Sequence, residues 1–318
     1  MSATVAYNSS NNTVTLNITG GTPTSVAVAS AASHGTATAS GTSITYTPMA
    51  GYSGSDSFTY TASNAGGTSS AATVTVTVNP QAPVANPVNT VVTYNSSNNA
   101  VTLNITGGTP TSVAVASAAS HGTATASGTS ITYTPTAGYA GSDSFTYTAS
   151  NAGGTSSAAT VSVTVNAVAP GAPTAASAAA GNGQANVTFT APGNNGGSAI
   201  TTYTATANPG GAFGTCAGPA ACTATVTGLT NGDAYTFTVT ATNAIGTSAA
   251  SGPSNSVTPK GNQTITFPDP GARNFGTTPN LSSTASATSS LAPTFTSFTT
   301  GVCTITSGGA LTFVTAGS

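Results

Sequence analysis

Two histidines, four aspartates and three cysteines are the side chains in this 318-residue chain with the means for acid–base, nucleophilic or metal chemistry. His34 and His121 stand at equivalent places, each directly before "GTATASG". Each has an aspartate downstream, Asp56 or Asp143, and serines nearby. The residue types of a Ser-His-Asp hydrolase are therefore present in both halves. That chemistry needs nucleophile, base and orienting carboxylate held together, and nothing here resembles a nucleophile elbow. Two copies of one active site inside a near-identical repeat would also be odd, so both histidines are expected at turns or strand edges. Asp56 and Asp143 fall in "GSDSF", where a carboxylate accepts backbone N–H groups at the turn into a strand. Calcium takes about 6–8 oxygen ligands, and one acid per repeat falls short. Asp233, in "NGDAY", reads as another turn residue, and Asp269 is the only acid of its segment. A glycosidase needs paired carboxylates within ~5–10 Å, and no segment supplies two. The sequence thus predicts no catalytic residue, no metal ligand set and no cofactor.

Cys216 and Cys222 flank "AGPAA". A loop this short with a central proline brings two thiols together across a hairpin, and a disulfide fits an oxidising, extracellular setting. Two free buried thiols or a metal pair are the alternatives, the latter short of ligands. Cys303 is left over as an unpaired thiol.

The elements that must position these residues are written in a chain with very little charge. Lys and Arg number two, Asp and Glu four, Trp is absent, and 38% of the residues are hydrophobic. An ordinary domain is roughly 25% charged. Two cations cannot neutralise a row of phosphates or hold an anionic membrane surface, so neither nucleic acid nor such a membrane is an expected partner. No run of about 18 apolar residues spans a bilayer.

Laying residues 7–79 on residues 94–166 leaves four differences: Thr13/Ala100, Met49/Thr136, Ser53/Ala140 and Thr75/Ser162. This is a tandem array of one structural unit. Within it apolar residues alternate at period two: Val14, Leu16 and Ile18; Val26 and Val28; Ile44 and Tyr46; Phe58 and Tyr60; Val74, Val76 and Val78. That period belongs to strands with one buried face, and turn clusters such as "NSSNN", "GGTPT" and "NAGG" separate them. Each unit is predicted to be a seven-stranded antiparallel sandwich. Repeat 2 opens with "APVANPVNTVVTYNSSNN" and repeat 1 with "MSATVAYNSSNN", so repeat 1 lacks the leading segment. Met1 is accordingly expected to be a cut or added start.

The stretch "HGTATASGTSITYTPTAGYAGSDSFTYTASNAGG" (121–154) and its twin from His34 resemble the bacterial cadherin-like, immunoglobulin-like repeats found in tandem on large surface proteins. Cadherins bridge domains with calcium through clustered acids, which this chain does not have. From Ala169 the sequence resembles a fibronectin type III domain, through its proline-rich opening, Tyr203, Leu229 with Tyr235, and "ATNAIGTSAAS". Phe189 stands where that family commonly has Trp. After Lys260, "GNQTITF" resembles the start of another bacterial immunoglobulin-like repeat, cut before its closing strand. Relatives of that repeat place a second Cys downstream, which implies a missing partner for Cys303.

The predicted fold class is all-β, a tandem array of immunoglobulin-like and fibronectin III-like sandwiches: 1–80 as repeat 1, 81–167 as repeat 2, 168–259 as the fibronectin type III domain, and 260–318 as a partial repeat. The predicted function is that of a non-enzymatic, secreted or cell-surface structural protein of bacterial type, forming a stalk, adhesin segment or self-assembling filament. A glycan-binding or spacer module of a larger secreted enzyme is the alternative. With one Lys in the chain, sheet edges lack the guard that soluble proteins use. Self-association, head-to-tail or lateral, is therefore an expected partnership, beside surface polysaccharide or another cell-surface protein. Asn17, Asn104, Asn186 and Asn262 begin Asn-x-Ser/Thr sequons, as composition alone would produce.

Overall fold

The computed structural model describes residues 1–262 together with 264–266, 286–287, 303–305 and 311–313. The described residues contain no helix, hence none long and apolar enough to cross a membrane. They form two compact units. One comprises Met1–Gly171 with Gly193–Ala199 and Asn243–Thr247; the other takes Ala172–Pro192, Ile200–Thr242 and the chain from Ser248.

In the first unit both repeats build the same two facing sheets. In repeat 1, Ser2–Val5, Ala72–Val78, Gly54–Asn64 and Ser25–Ser30 lie side by side in that order, with Gly67–Thr68 paired to Gly54–Asn64. The opposite sheet is Asn12–Val14, Ser43–Pro48 and Gly35–Ser40. Repeat 2 repeats the arrangement with Val88–Thr93, Ala159–Asn166, Gly141–Asn151 and Ser112–Ser117 against Asn99–Val101, Ser130–Pro135 and Gly122–Ser127. It also adds a ribbon absent from repeat 1, Pro83–Asn86 antiparallel to Asn104–Gly107. The alternating apolar residues face inward: Ile44, Tyr46, Phe58, Tyr60, Val74, Val76 and Val78 form the core of repeat 1, and their counterparts that of repeat 2. The asparagines of the "YNSSNN" turns, Asn8, Asn11, Asn95 and Asn98, all take left-handed φ values, which asparagine tolerates best among non-glycine residues.

The expected wholly antiparallel sandwich is corrected at one edge. Ser2–Val5 runs parallel to Ala72–Val78, in register from Ser2 with Thr75 to Val5 with Val78. Val88–Thr93 runs parallel to Ala159–Asn166, from Val88 with Val161 to Thr93 with Asn166. Each repeat thus closes its larger sheet by laying Ser2–Val5, or in repeat 2 the strand Val88–Thr93 that follows the ribbon, beside its last strand. Period-two alternation is the same for either direction, so the sequence carried no signal of it.

The second unit is a separate sandwich. Thr174–Ala180, Gln184–Thr190 and Ala224–Thr227 form one sheet, and Phe213–Ala217, Ile200–Asn208 and Thr236–Asn243 the other. Phe189 and Tyr203 are both buried in its core, with ring centroids 4.6 Å apart. Phe fills this core place with no N–H to satisfy.

Candidate functional site

The residues singled out for chemistry come together in one cluster per repeat. Tyr46 stands on Ser43–Pro48 and points inward with the strand's alternation; Asp56 stands near the start of Gly54–Asn64. Asp56 is 6% exposed. Its Oδ2 accepts the Tyr46 hydroxyl at 2.7 Å and the His34 backbone N–H at 2.9 Å. Its Oδ1 accepts the backbone N–H groups of Ser33 at 3.0 Å and Ser57 at 2.9 Å. Repeat 2 reproduces the set: Asp143 accepts from Tyr133 at 2.7 Å, from Ser120 and His121 each at 3.0 Å, and from Ser144 at 2.8 Å. Gly35 and Gly122 leave room for these tyrosines, because a Cβ at either position would overlap the phenol.

Burial would raise both carboxyls. The tyrosine hydroxyl and three backbone N–H groups outweigh it and hold Asp56 and Asp143 below the usual carboxylate range. Burial first, and then the hydrogen bond and charge of the aspartate, push the Tyr46 and Tyr133 hydroxyls far up. The clusters therefore hold an ionised carboxylate and a neutral phenol over the whole physiological range.

The histidines join these clusters through their main chain. Their rings lie elsewhere, His34 stacked on Tyr52 with centroids 4.2 Å apart and His121 on Tyr139 at 4.1 Å. Asp56 and Asp143 therefore fix a loop, Ser33–His34 or Ser120–His121, to a strand. They do not orient an imidazole, and proton transfer through a His–Asp pair is not built here. Asp233 is exposed. Among the described residues no three of His, Cys, Asp and Glu gather into a metal site. Asp269 lies outside the described residues, as does the Cys303 thiol. The backbone of Cys303–Ile305 pairs antiparallel with Leu311–Phe313.

In the second unit Cys216 and Cys222 are joined by a disulfide, with Cα atoms 6.1 Å apart. Cys216 pairs in register with Tyr203, whose hydroxyl donates to the Pro219 carbonyl at 2.9 Å, inside the small loop. The loop is thus held at its base and across its middle. Asn17, Asn104, Asn186 and Asn262 are all exposed.

Sequence reasoning placed the aspartates at backbone N–H groups and passed over their tyrosines, which alternation had already assigned to the core. The signal was the ten-residue spacing of Tyr46 to Asp56, repeated in Tyr133 to Asp143.

A family model described as a bacterial Ig domain matches the chain twice, over residues 2–77 and 80–164. One described as a fibronectin type III domain matches residues 168–257. Among solved structures, a crystal structure of titin domains is 18% identical with a TM-score of 0.29, over 79% of this chain and 97% of that one. The protocadherin GammaB4 extracellular domain is 12% identical with a TM-score of 0.40, over 100% of this chain and 60% of that one. The human desmocollin-1 ectodomain is 10% identical with a TM-score of 0.34, over 83% of this chain and 61% of that one. No curated protein sequence matches the chain.

Proposed function

This chain belongs to the bacterial Ig domain family, with a fibronectin type III domain following its two repeats, and we propose that it is a non-enzymatic structural protein of the cell exterior, a stalk whose tandem domains transmit load. The observation that carries this reading is the parallel edge of each repeat. In repeat 1 the entering strand Ser2–Val5, and in repeat 2 the strand Val88–Thr93 that follows the Pro83–Asn86 ribbon, lies beside the strand on which the chain leaves, and each pair runs the same way. Tension applied at the two ends of a repeat therefore pulls these strands in opposite directions along their length. Every hydrogen bond between them is loaded at once and in shear, where an antiparallel edge would open one bond at a time.

The fixed loops support the same reading. A buried carboxylate that gathers four donors rigidifies the sandwich without offering a reacting group to solvent. The Cys216–Cys222 disulfide fits a protein exported to an oxidising compartment. Near-identical neighbouring units suit a spacer, where repetition sets length.

Stretching the full chain by its ends tests the stalk. Each repeat is expected to rupture as one event, releasing roughly 250 Å of chain for about 79 residues, repeat 1 at the lower force because its parallel edge pairs four residues where that of repeat 2 pairs six. A chain that lengthens without two such events contradicts it.

A further inference from the structure

Three Asn–Gly pairs occur in the chain, Asn182–Gly183, Asn195–Gly196 and Asn231–Gly232, all within the fibronectin type III domain. At the corresponding kind of loop the two repeats write Asn64–Ala65 and Asn151–Ala152 instead. An asparagine followed by glycine is open to attack by its own backbone, because glycine has no Cβ to hinder the approach of its nitrogen to the asparagine Cγ. Two of the three pairs meet at one end of the sandwich. Asn182–Gly183 makes the turn between Thr174–Ala180 and Gln184–Thr190, closed by the Gly181 N–H on the Gln184 carbonyl at 2.8 Å. Asn231–Gly232 lies between Ala224–Thr227 and Thr236–Asn243. Gly183 and Gly232 take φ values of 62° and 96°, a region in which glycine alone is unstrained. These turns therefore cannot trade glycine for a less reactive neighbour at no cost.

Asn182 and Asn231 are exposed, so water reaches both side chains. The glycine nitrogens are held instead. Asn231 Oδ1 accepts the Gly183 N–H at 2.9 Å, and Asn231 Nδ2 donates to Asn182 Oδ1 at 2.9 Å. The Gly232 N–H donates to the Pro259 carbonyl at 2.9 Å. The Gly183 carbonyl accepts the Leu229 N–H at 3.0 Å, which ties the two turns together. At the third pair the Gly196 N–H donates to Asn194 Oδ1 at 2.8 Å. An amide nitrogen attacks only after losing its proton, and a proton held by an acceptor is lost only when that bond opens.

We propose that Asn182–Gly183 and Asn231–Gly232 form a paired deamidation site, which the folded domain holds off and which reacts once this end of the sandwich opens. In the open chain the deprotonated Gly183 nitrogen attacks Asn182 Cγ. The N–Cγ bond forms, the Cγ–Nδ2 bond breaks, and the amide group takes a proton from solvent and leaves as ammonia. Water then opens the succinimide at either carbonyl. The product is aspartate or isoaspartate, one carboxylate in place of one neutral amide. Gly232 and Asn231 react in the same way, and water is the only co-reactant. The products alter the turn. Isoaspartate at residue 231 carries the main chain through its side chain, which adds one backbone atom and displaces the Gly232 N–H from Pro259. A carboxylate there also has no Nδ2 to offer Asn182. An opening that outlasts the reaction therefore leaves a permanent mark on the domain. Heat, denaturant and tension open the turn alike, so the site stands whether or not the chain bears load.

Peptide mapping by mass spectrometry on the full, unreduced chain tests the proposal, in mildly alkaline buffer with and without guanidinium chloride. Each event also adds a negative charge, which isoelectric focusing resolves in a chain with four acidic and two basic residues. In the folded chain Asn182 and Asn231 should react at least about 100-fold more slowly than in denaturant, as groups that are freed only by opening do. Asn231→Ala takes the acceptor from the Gly183 N–H and should speed the native reaction at Asn182 by about 10-fold or more, while Asn195 stays slow and shows that the rest of the domain is closed. Asn231→Asp keeps the accepting oxygen and should leave Asn182 slow. Asn182→Ala leaves the Gly232 N–H on Pro259 and should leave Asn231 slow. Should Asn231→Ala open the whole domain, Asn195 accelerates with Asn182, and the Asn231→Asp and Asn182→Ala chains decide. Equal rates with and without denaturant overturn the site. So does an Asn182 that stays slow in Asn231→Ala, or one that reacts as fast in Asn231→Asp as in denaturant.

Discussion

The hydroxyl of Tyr46 donates to Oδ2 of Asp56 across 2.7 Å, and Tyr133 and Asp143 make the same bond at the same length in the next repeat. The pair joins the two facing sheets, since Tyr46 lies in one and Asp56 in the other. Around it the carboxylate also takes three backbone N–H groups, so one side chain satisfies four donors.

Tyr46→Phe removes one hydrogen bond to a charged acceptor and is expected to cost about 1.5–3 kcal/mol. Asp56→Ala leaves four donors without their acceptor and should cost more, enough to unfold repeat 1 selectively. Tyr133→Phe and Asp143→Ala should have matching effects on repeat 2. Chemical denaturation of the four variants checks this, and a Tyr46→Phe cost indistinguishable from zero would contradict the cluster's structural role.

Stability should fall at both ends of the pH scale. Asp56 and Asp143 titrate below their unfolded value, near about 3.9, so the unfolded chain binds more protons in that region and stability rises with pH through it. Their contribution is present above that value and is lost as pH drops through the lower folded one. Tyr46 and Tyr133 titrate well above the unfolded tyrosine value of about 10, so their contribution is present below it and is lost as pH climbs beyond it. Thermal denaturation across this range should give a plateau between the two limits. In the double variant Asp56→Asn with Asp143→Asn the acid limb should flatten.

Most of the sandwich was legible because its cores obey one rule. Ile44, Tyr46, Phe58, Tyr60, Val74 and Val76 alternate in sequence and are buried in the structure. Phe189 was placed by the resemblance to a fibronectin type III domain, at the position where that family commonly has Trp, and is buried as that implies. The direction of the first strand was not legible, because alternation does not encode it. Nor was the fate of NITG, which is a strand in repeat 2 and not in repeat 1: the same four residues pair only where a neighbouring strand exists. The expected run Val14, Leu16, Ile18 accordingly ends as a strand at Val14. The Tyr46–Asp56 partnership escaped notice because a tyrosine on an inward position reads as core until its hydroxyl is asked for a partner.

The Cys216–Cys222 bridge closes a small loop, and opening it should cost about 2 kcal/mol on loop-entropy grounds. Reduction should lower the unfolding temperature of the fibronectin type III domain and leave both repeats unchanged. Mass spectrometry of unreduced material should find the two cysteines linked; free alkylatable thiols at both positions would count against the bridge and against an oxidising compartment.

With two basic and four acidic residues in 318, little of the stability is open to screening. The unfolding temperature at neutral pH should change by no more than about 2 °C when a neutral salt such as sodium chloride is raised from ~0.02 to ~0.3 M, low enough that Hofmeister effects stay small. A larger shift would show that charges outside the two buried clusters contribute substantially.

Pulling one repeat in two directions tests most directly whether the tandem domains transmit tension. In the full chain, force applied through the ends loads the edge between Val88–Thr93 and Ala159–Asn166 in shear. Force applied through cysteines placed at Val91 and Ser117, on opposite edges of the same sheet, in a Cys303→Ser background, peels the strands apart one bond at a time. The shear direction should rupture at clearly higher force, and Val92→Ala should lower it. Equal rupture forces in the two directions would contradict the stalk.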